Sequence, residues 1–101
     1  MSERVKTNNY NTILHETTMA IVAAAGGKLR LEDVREDASL SLDLAMSSLV
    51  LTDLIVELGK RFGKIRLTGW YVQATEQGKD TVGGLAAYID NALMNASQAA
   101  R

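Results

Sequence analysis

Residues 47–62 read Ser-Ser-Leu-Val-Leu-Thr-Asp-Leu-Ile-Val-Glu-Leu-Gly-Lys-Arg-Phe. Leu51, Leu54, Ile55, Leu58 and Phe62 recur at spacings of three and four, which predicts a helix over this stretch with one stripe facing a core. Gly63 supplies its stop. At about 100° per residue, Leu49, Asp53, Val56 and Lys60 fall on the opposite face. This helix therefore has more apolar residues than its buried stripe uses. Leu49 and Val56 are either covered by neighbouring loops or form a surface for another protein.

Working outward, a matching stripe precedes it. Tyr10, Ile13, Leu14, Thr17, Ile21 and Ala24 predict a first helix over residues 9–25, with Gly26 and Gly27 as its stop. Between the two helices, residues 28–46 lack sustained periodicity. Leu29, Leu31, Val34, Leu40, Leu42 and Leu44 give this stretch the pattern of a long loop anchored at intervals. Residues 63–79 are also irregular, with a short helix expected around residues 70–75. Asp80 or Thr81 caps a last helix, in which Val82, Leu85, Ala86, Ile89, Ala92 and Leu93 form the stripe. Gly83 and Gly84 weaken its first turn, and the tail over residues 95–101 frays.

The chain has 101 residues, no proline, 5% aromatics and 47% apolar residues, a balance that favours an all-helical domain over a β-rich one. A single domain over residues 1–101 is expected, ordered over about 9–94 with flexible ends. A net charge of −1 argues against nucleic-acid binding. There is no cysteine, so disulfides, thiolate metal sites and a cysteine nucleophile are excluded. The first residues lack the apolar core of a signal peptide and no run reaches membrane-spanning length, so a cytoplasmic protein without membrane insertion is expected.

Several residues invite a chemical reading. His15, the single histidine, has no sequence partner that would make a nucleophile or a metal site, and reads as a surface residue. The clusters Glu32, Asp33 and Arg35, Glu36, Asp37 read as a solvated loop surface. Neither has calcium-loop spacing, and no metal site is expected. The glycine pairs lack the strand-to-helix setting of a phosphate loop and read as helix punctuation. Trp70 and Tyr71 are core anchors or the lining of a ligand pocket. Ser47 and Ser48 open the central helix, where free amides and the helix dipole favour negative charge. One hydroxyl caps the helix; the other can carry a phosphate-linked group.

The wider register over residues 37–62 resembles the core motif of acyl carrier proteins. The pair Asp43 and Leu44, then Ser48 and Leu49, then Asp53 and Leu54, Leu58 and Phe62 fit that frame without a gap. Thr81, Val82, Leu85, Tyr88 and Ile89 look like the family's last helix, so the resemblance covers about residues 9–94. Two departures are specific: Ser47 stands where the family has an aspartate, and Lys60, Arg61, Lys64 and Arg66 stand where many carriers are acidic.

The resemblance implies a four-helix bundle of acyl-carrier type, with three longer helices, a short one and a long loop between the first two. It implies that Ser48 receives 4′-phosphopantetheine from coenzyme A through a phosphopantetheinyl transferase, with Ser47 as the alternative site. Acyl intermediates would then be held as thioesters in a dedicated fatty-acid, polyketide or related biosynthetic pathway. Leu49, Asp53, Val56 and Lys60 become the face that meets acyl-transferring and acyl-modifying enzymes. On this reading the protein is a monomeric carrier and not an enzyme. The rival expectation is a carrier-like helical interaction protein that is not modified. A third, a small helical enzyme or metal protein using His15 and nearby carboxylates, lacks an identified second group.

Overall fold

The computed structural model describes the backbone of residues 2–63 and 65–99 and the side chains of residues 10–63 and 65–94. Four helices follow in order: α1 (Ser2–Ala24), α2 (Ser48–Phe62), α3 (Thr68–Glu76) and α4 (Val82–Ala99). The described chain is all-helical, a four-helix bundle with three longer helices and one short one. α1 packs against both α2 and α4. It starts further toward the N-terminus than its apolar stripe, and α3 is a residue or two longer at each end than the aromatic cluster suggests. The expected fraying falls on residues 95–101. The helical backbone continues to Ala99, and residues 100–101 lie outside the described set.

One apolar cluster holds the helices together. Ile13, Ala20 and Ile21 of α1 meet Leu54 and Leu58 of α2 and Val82, Leu85, Ala86 and Ile89 of α4. Leu40 and Leu67 reach the same cluster from the α1–α2 and α2–α3 connections. Phe62, Ile55 and Leu51 are half-buried at its edge. This is the arrangement the period of three and four residues requires, because only a stripe of that spacing keeps facing one neighbour along the helix. Gly63, at φ 85°, then turns the chain out of α2 in a conformation that side chains with a Cβ rarely adopt.

The long connection is anchored differently from its leucine pattern. Val34, Ala38 and Leu40 are buried, but Leu31 and Leu42 are 52% and 81% exposed. Polar groups do the remaining work. Asp80, only 2% exposed, accepts the Ser41 amide at 2.9 Å and the Ser39 hydroxyl at 3.2 and 3.3 Å on its two oxygens. The Leu40 amide donates to the Asp80 carbonyl at 2.8 Å and the Val82 amide to the Ala38 carbonyl at 3.0 Å. Together they form a single antiparallel bridge between Ser39 and Thr81. Burial by itself raises the pKa of Asp80. Hydrogen bonds from Ser41, its own backbone amide and Ser39 outweigh burial and hold the carboxyl below its ordinary 3.8. The cap of α4 is Thr81, whose hydroxyl accepts the Gly84 amide at 2.9 Å.

Glu36 and Gly83 join the loop to the first and last helices. Glu36 is exposed like the rest of its charged cluster and also makes two bonds: its carboxylate accepts the Tyr10 hydroxyl at 2.5 Å, and its carbonyl accepts the Gly83 amide at 2.8 Å. Burial first, then the Glu36 bond and charge, push the Tyr10 phenol up to about 12, so it remains a protonated donor at neutral pH. Gly83 is where the loop meets α4, not mere punctuation. A Cβ there would lie 2.7 Å from Glu36 Cγ and 3.2 Å from the Glu36 carbonyl oxygen. Gly83→Val is accordingly expected to lower stability by about 1–3 kcal/mol through overpacking. An unchanged urea midpoint would show that the loop gives way without cost.

Candidate functional site

The two serines divide their work at the start of α2. Ser47 has extended backbone at φ −80° and ψ 169°, and its Oγ accepts the Val50 amide at 3.3 Å. Its carbonyl takes the Leu51 amide at 2.9 Å, the first bond of the helix. Ser47 is therefore the N-cap. Ser48 is the first helical residue and is exposed. Among the described residues its hydroxyl makes no hydrogen bond, while its carbonyl accepts the Thr52 hydroxyl at 2.9 Å. The Ser48 and Leu49 amides have no acceptor within the helix, because no turn precedes them. A free primary hydroxyl thus sits beside free amides at the positive end of a helix.

The approach to this helix is sharply bent. Ala45 lies in the left-handed region at φ 48°, the one non-glycine residue there among those described. Such a conformation costs roughly 1–2 kcal/mol. It is held by the bonds on either side, Leu44 amide to Ser39 carbonyl at 2.9 Å and Met46 amide to Leu40 carbonyl at 3.0 Å. Asp43 contributes through its carboxylate, which accepts the Ser39 amide at 2.8 Å. Beside the helix start, Leu29, Leu44, Met46 and Val50 wall a cavity of about 180 Å³ with Lys28 among its lining residues.

On the outward face of α2, Leu49 is 73% and Val56 52% exposed, so the neighbouring loops do not cover them. Asp53 and Lys60 are exposed on the same face. Charges on and beside that face are paired. Arg61 lies 3.1 Å from Glu57 and 3.2 Å from Glu16 of α1, and Lys60 lies 3.4 Å from Glu57. Asp53 is left as the acid of α2 with no ion pair among the described residues. The basic group noted in the sequence is thus partly neutralised. Arg66 makes no ion pair among the described residues, and Lys64 lies outside them.

The remaining candidates fall elsewhere. His15 is exposed on α1, and no cluster of histidine and carboxylates fit to hold a metal occurs among the described residues. Trp70 stacks on Tyr88 with ring centroids 5.8 Å apart at 26°. Both Trp70 and Tyr71 pack against the core. Burial, and secondarily the charge of Asp80, pushes the Tyr71 phenol up. Sequence reasoning missed Asp80 as the loop's anchor, naming it only as one of two caps. No described helix is long and apolar enough to cross a membrane.

No family model, no curated protein and no solved structure matches the chain. The chemistry of the site rests on the residues just described.

Proposed function

We propose that this protein is an acyl carrier that bears 4′-phosphopantetheine on Ser48. One observation carries the reading: Ser47 takes the capping bond, and Ser48 keeps an exposed, unengaged hydroxyl beside free helix amides. The group fits there. A phosphodiester on Ser48 Oγ meets the amides of the first turn and the positive end of the helix dipole. The group's terminal thiol supplies the thioester chemistry that a cysteine-free chain lacks.

In the attachment step the Ser48 oxygen bonds to the pantetheine-side phosphorus of coenzyme A. The pyrophosphate P–O bond breaks, adenosine 3′,5′-bisphosphate leaves with the bridging oxygen, and the serine proton passes to a base of the transferase. The protein itself contributes an exposed nucleophile and a docking face, and acts as a monomer in the cytoplasm. Leu49, Asp53, Val56 and Lys60 meet the transferase and the acyl-transferring enzymes of a fatty-acid, polyketide or related pathway. With Asp53 the unpaired acid of that face, its partners differ from those that read a strongly acidic helix.

Incubation with coenzyme A and a broad-specificity phosphopantetheinyl transferase, read by intact mass, tests this. A gain of one phosphopantetheine is expected, and no gain with several transferases would sink it. That second result favours the other reading, an unmodified helical interaction protein, for which Ser47 in the usual aspartate position is the motivating observation. The docking face has its own measurement. Leu49→Ala and Val56→Ala should slow transfer by the partner enzyme several-fold while changing stability by less than about 0.5 kcal/mol, since both side chains are exposed. A loss of about 2 kcal/mol or more would place them in the core.

A further inference from the structure

A groove of about 530 Å³ is lined by Ile55 and Gly59 of α2 and by Ile65 and Arg66 of the connection to α3. Ile55 and Gly59 follow Ser48 by seven and eleven residues on the same helix. At about 100° and 1.5 Å per residue they lie within about 20° of the direction of Ser48, roughly 10 and 16 Å along the axis. An extended pantetheine arm spans that distance. An arm on Ser48 is therefore long enough to reach this groove without crossing the outward face of Leu49 and Val56.

Gly59 has no structural reason to be glycine. It sits inside α2, where glycine is disfavoured, and it is not among the residues with positive φ. A Cβ there would meet nothing within 4 Å. What the missing side chain does is leave the groove open between Ile55 and Ile65.

Arg66 has the complementary property. Lys60 and Arg61 are engaged with Glu57 and Glu16, whereas Arg66 makes no ion pair among the described residues. Its backbone is fixed, because the Tyr88 hydroxyl donates to its carbonyl and Tyr88 stacks on Trp70. A cation on an anchored backbone thus stands beside apolar walls.

From this we infer that the groove selects the cargo: a short acyl chain ending in a carboxylate, with its methylenes against Ile55 and Ile65 and its acid at Arg66. Gly59 and Arg66 are the specificity-determining residues. The inference rests on Ser48 as the attachment site.

The test loads isotope-labelled protein from glutaryl-coenzyme A or pentanoyl-coenzyme A, two cargoes of equal carbon count that differ in the terminal acid. Intact mass establishes loading first; no loading overturns the carrier reading and this inference together. With loading established, the glutaryl arm should shift the amide signals of Ile55, Gly59, Ile65 and Arg66 relative to the unacylated arm, and shift Arg66 more than the pentanoyl arm does. That difference should shrink in 1 M salt. Arg66→Gln should erase it, Arg66→Lys should keep part of it, and Gly59→Leu should remove the groove shifts with both cargoes. Gly59→Ala, which meets no neighbour, provides a folded variant of intermediate effect. Equal shifts for the two cargoes, or an Arg66→Gln variant that behaves as the parent, overturn the inference while leaving Ser48 in place.

Discussion

Ser48→Ala is expected to show no mass gain after incubation with coenzyme A and transferase, a complete loss rather than a slowing. The replacement removes the oxygen proposed to form the bond, yet touches no hydrogen bond among the described side chains, so the fold should unfold at nearly the parent temperature. Ser47→Ala should behave in the opposite way. It loses the bond from the Val50 amide and with it about 1 kcal/mol of stability, while the arm still attaches. The two adjacent substitutions thus separate a chemical role from a structural one. A variant pair with the reverse outcome, loading on Ser48→Ala and none on Ser47→Ala, would move the site by one residue and break the ungapped register from Asp43 to Phe62.

Asp80→Ala is expected to cost about 2–3 kcal/mol, because the Ser41 amide and Ser39 hydroxyl lose a charged acceptor in a place that water does not reach. For a chain of this size that lowers the thermal midpoint by on the order of 10 °C. The effect has a pH signature. The folded carboxyl titrates below its ordinary 3.8, so the folded state binds fewer protons than the unfolded one through that window and stability rises with pH across it. The contribution is fully present above the unfolded value and is lost as pH falls through the folded one. Asp80→Asn should therefore differ from the parent by a constant amount at neutral pH and converge with it in acid. A difference that stays the same down to pH 2 would show that shape, not charge, holds the loop. Circular dichroism across a pH series of urea titrations measures both quantities.

The bundle is legible in the sequence because its signals are local. The stripes of α1, α2 and α4 repeat every three or four residues, and the Ser47 and Thr81 caps each bond an amide three positions on. The exposure of Leu49 and Val56 follows from the same wheel. What the sequence hides is non-local. Asp80 carries the same cap signal as Thr81, and only the meeting with Ser39 and Ser41 distinguishes them. Leu42 looks like Leu40, but a turn sends one into solvent and the other into the core. Ala45 adopts a glycine-like conformation without being glycine, imposed by bonds to Ser39 and Leu40. Gly83 reads as a helix weakness until Glu36 is placed against it. The charge pairing that leaves Arg66 apart likewise depends on α1 meeting α2.

The contact between Ser39 and Asp80 joins positions 41 residues apart, which has a consequence for how the protein matures. A ribosome delivers the segment before α2 long before it delivers Asp80, and until then the bend that leads into Ser48 has no anchor on α4. Domains close as units when their last required element emerges. Ser48 therefore acquires its final presentation only once Asp80 has emerged, and under the proposed function a transferase that reads this geometry acts after that point.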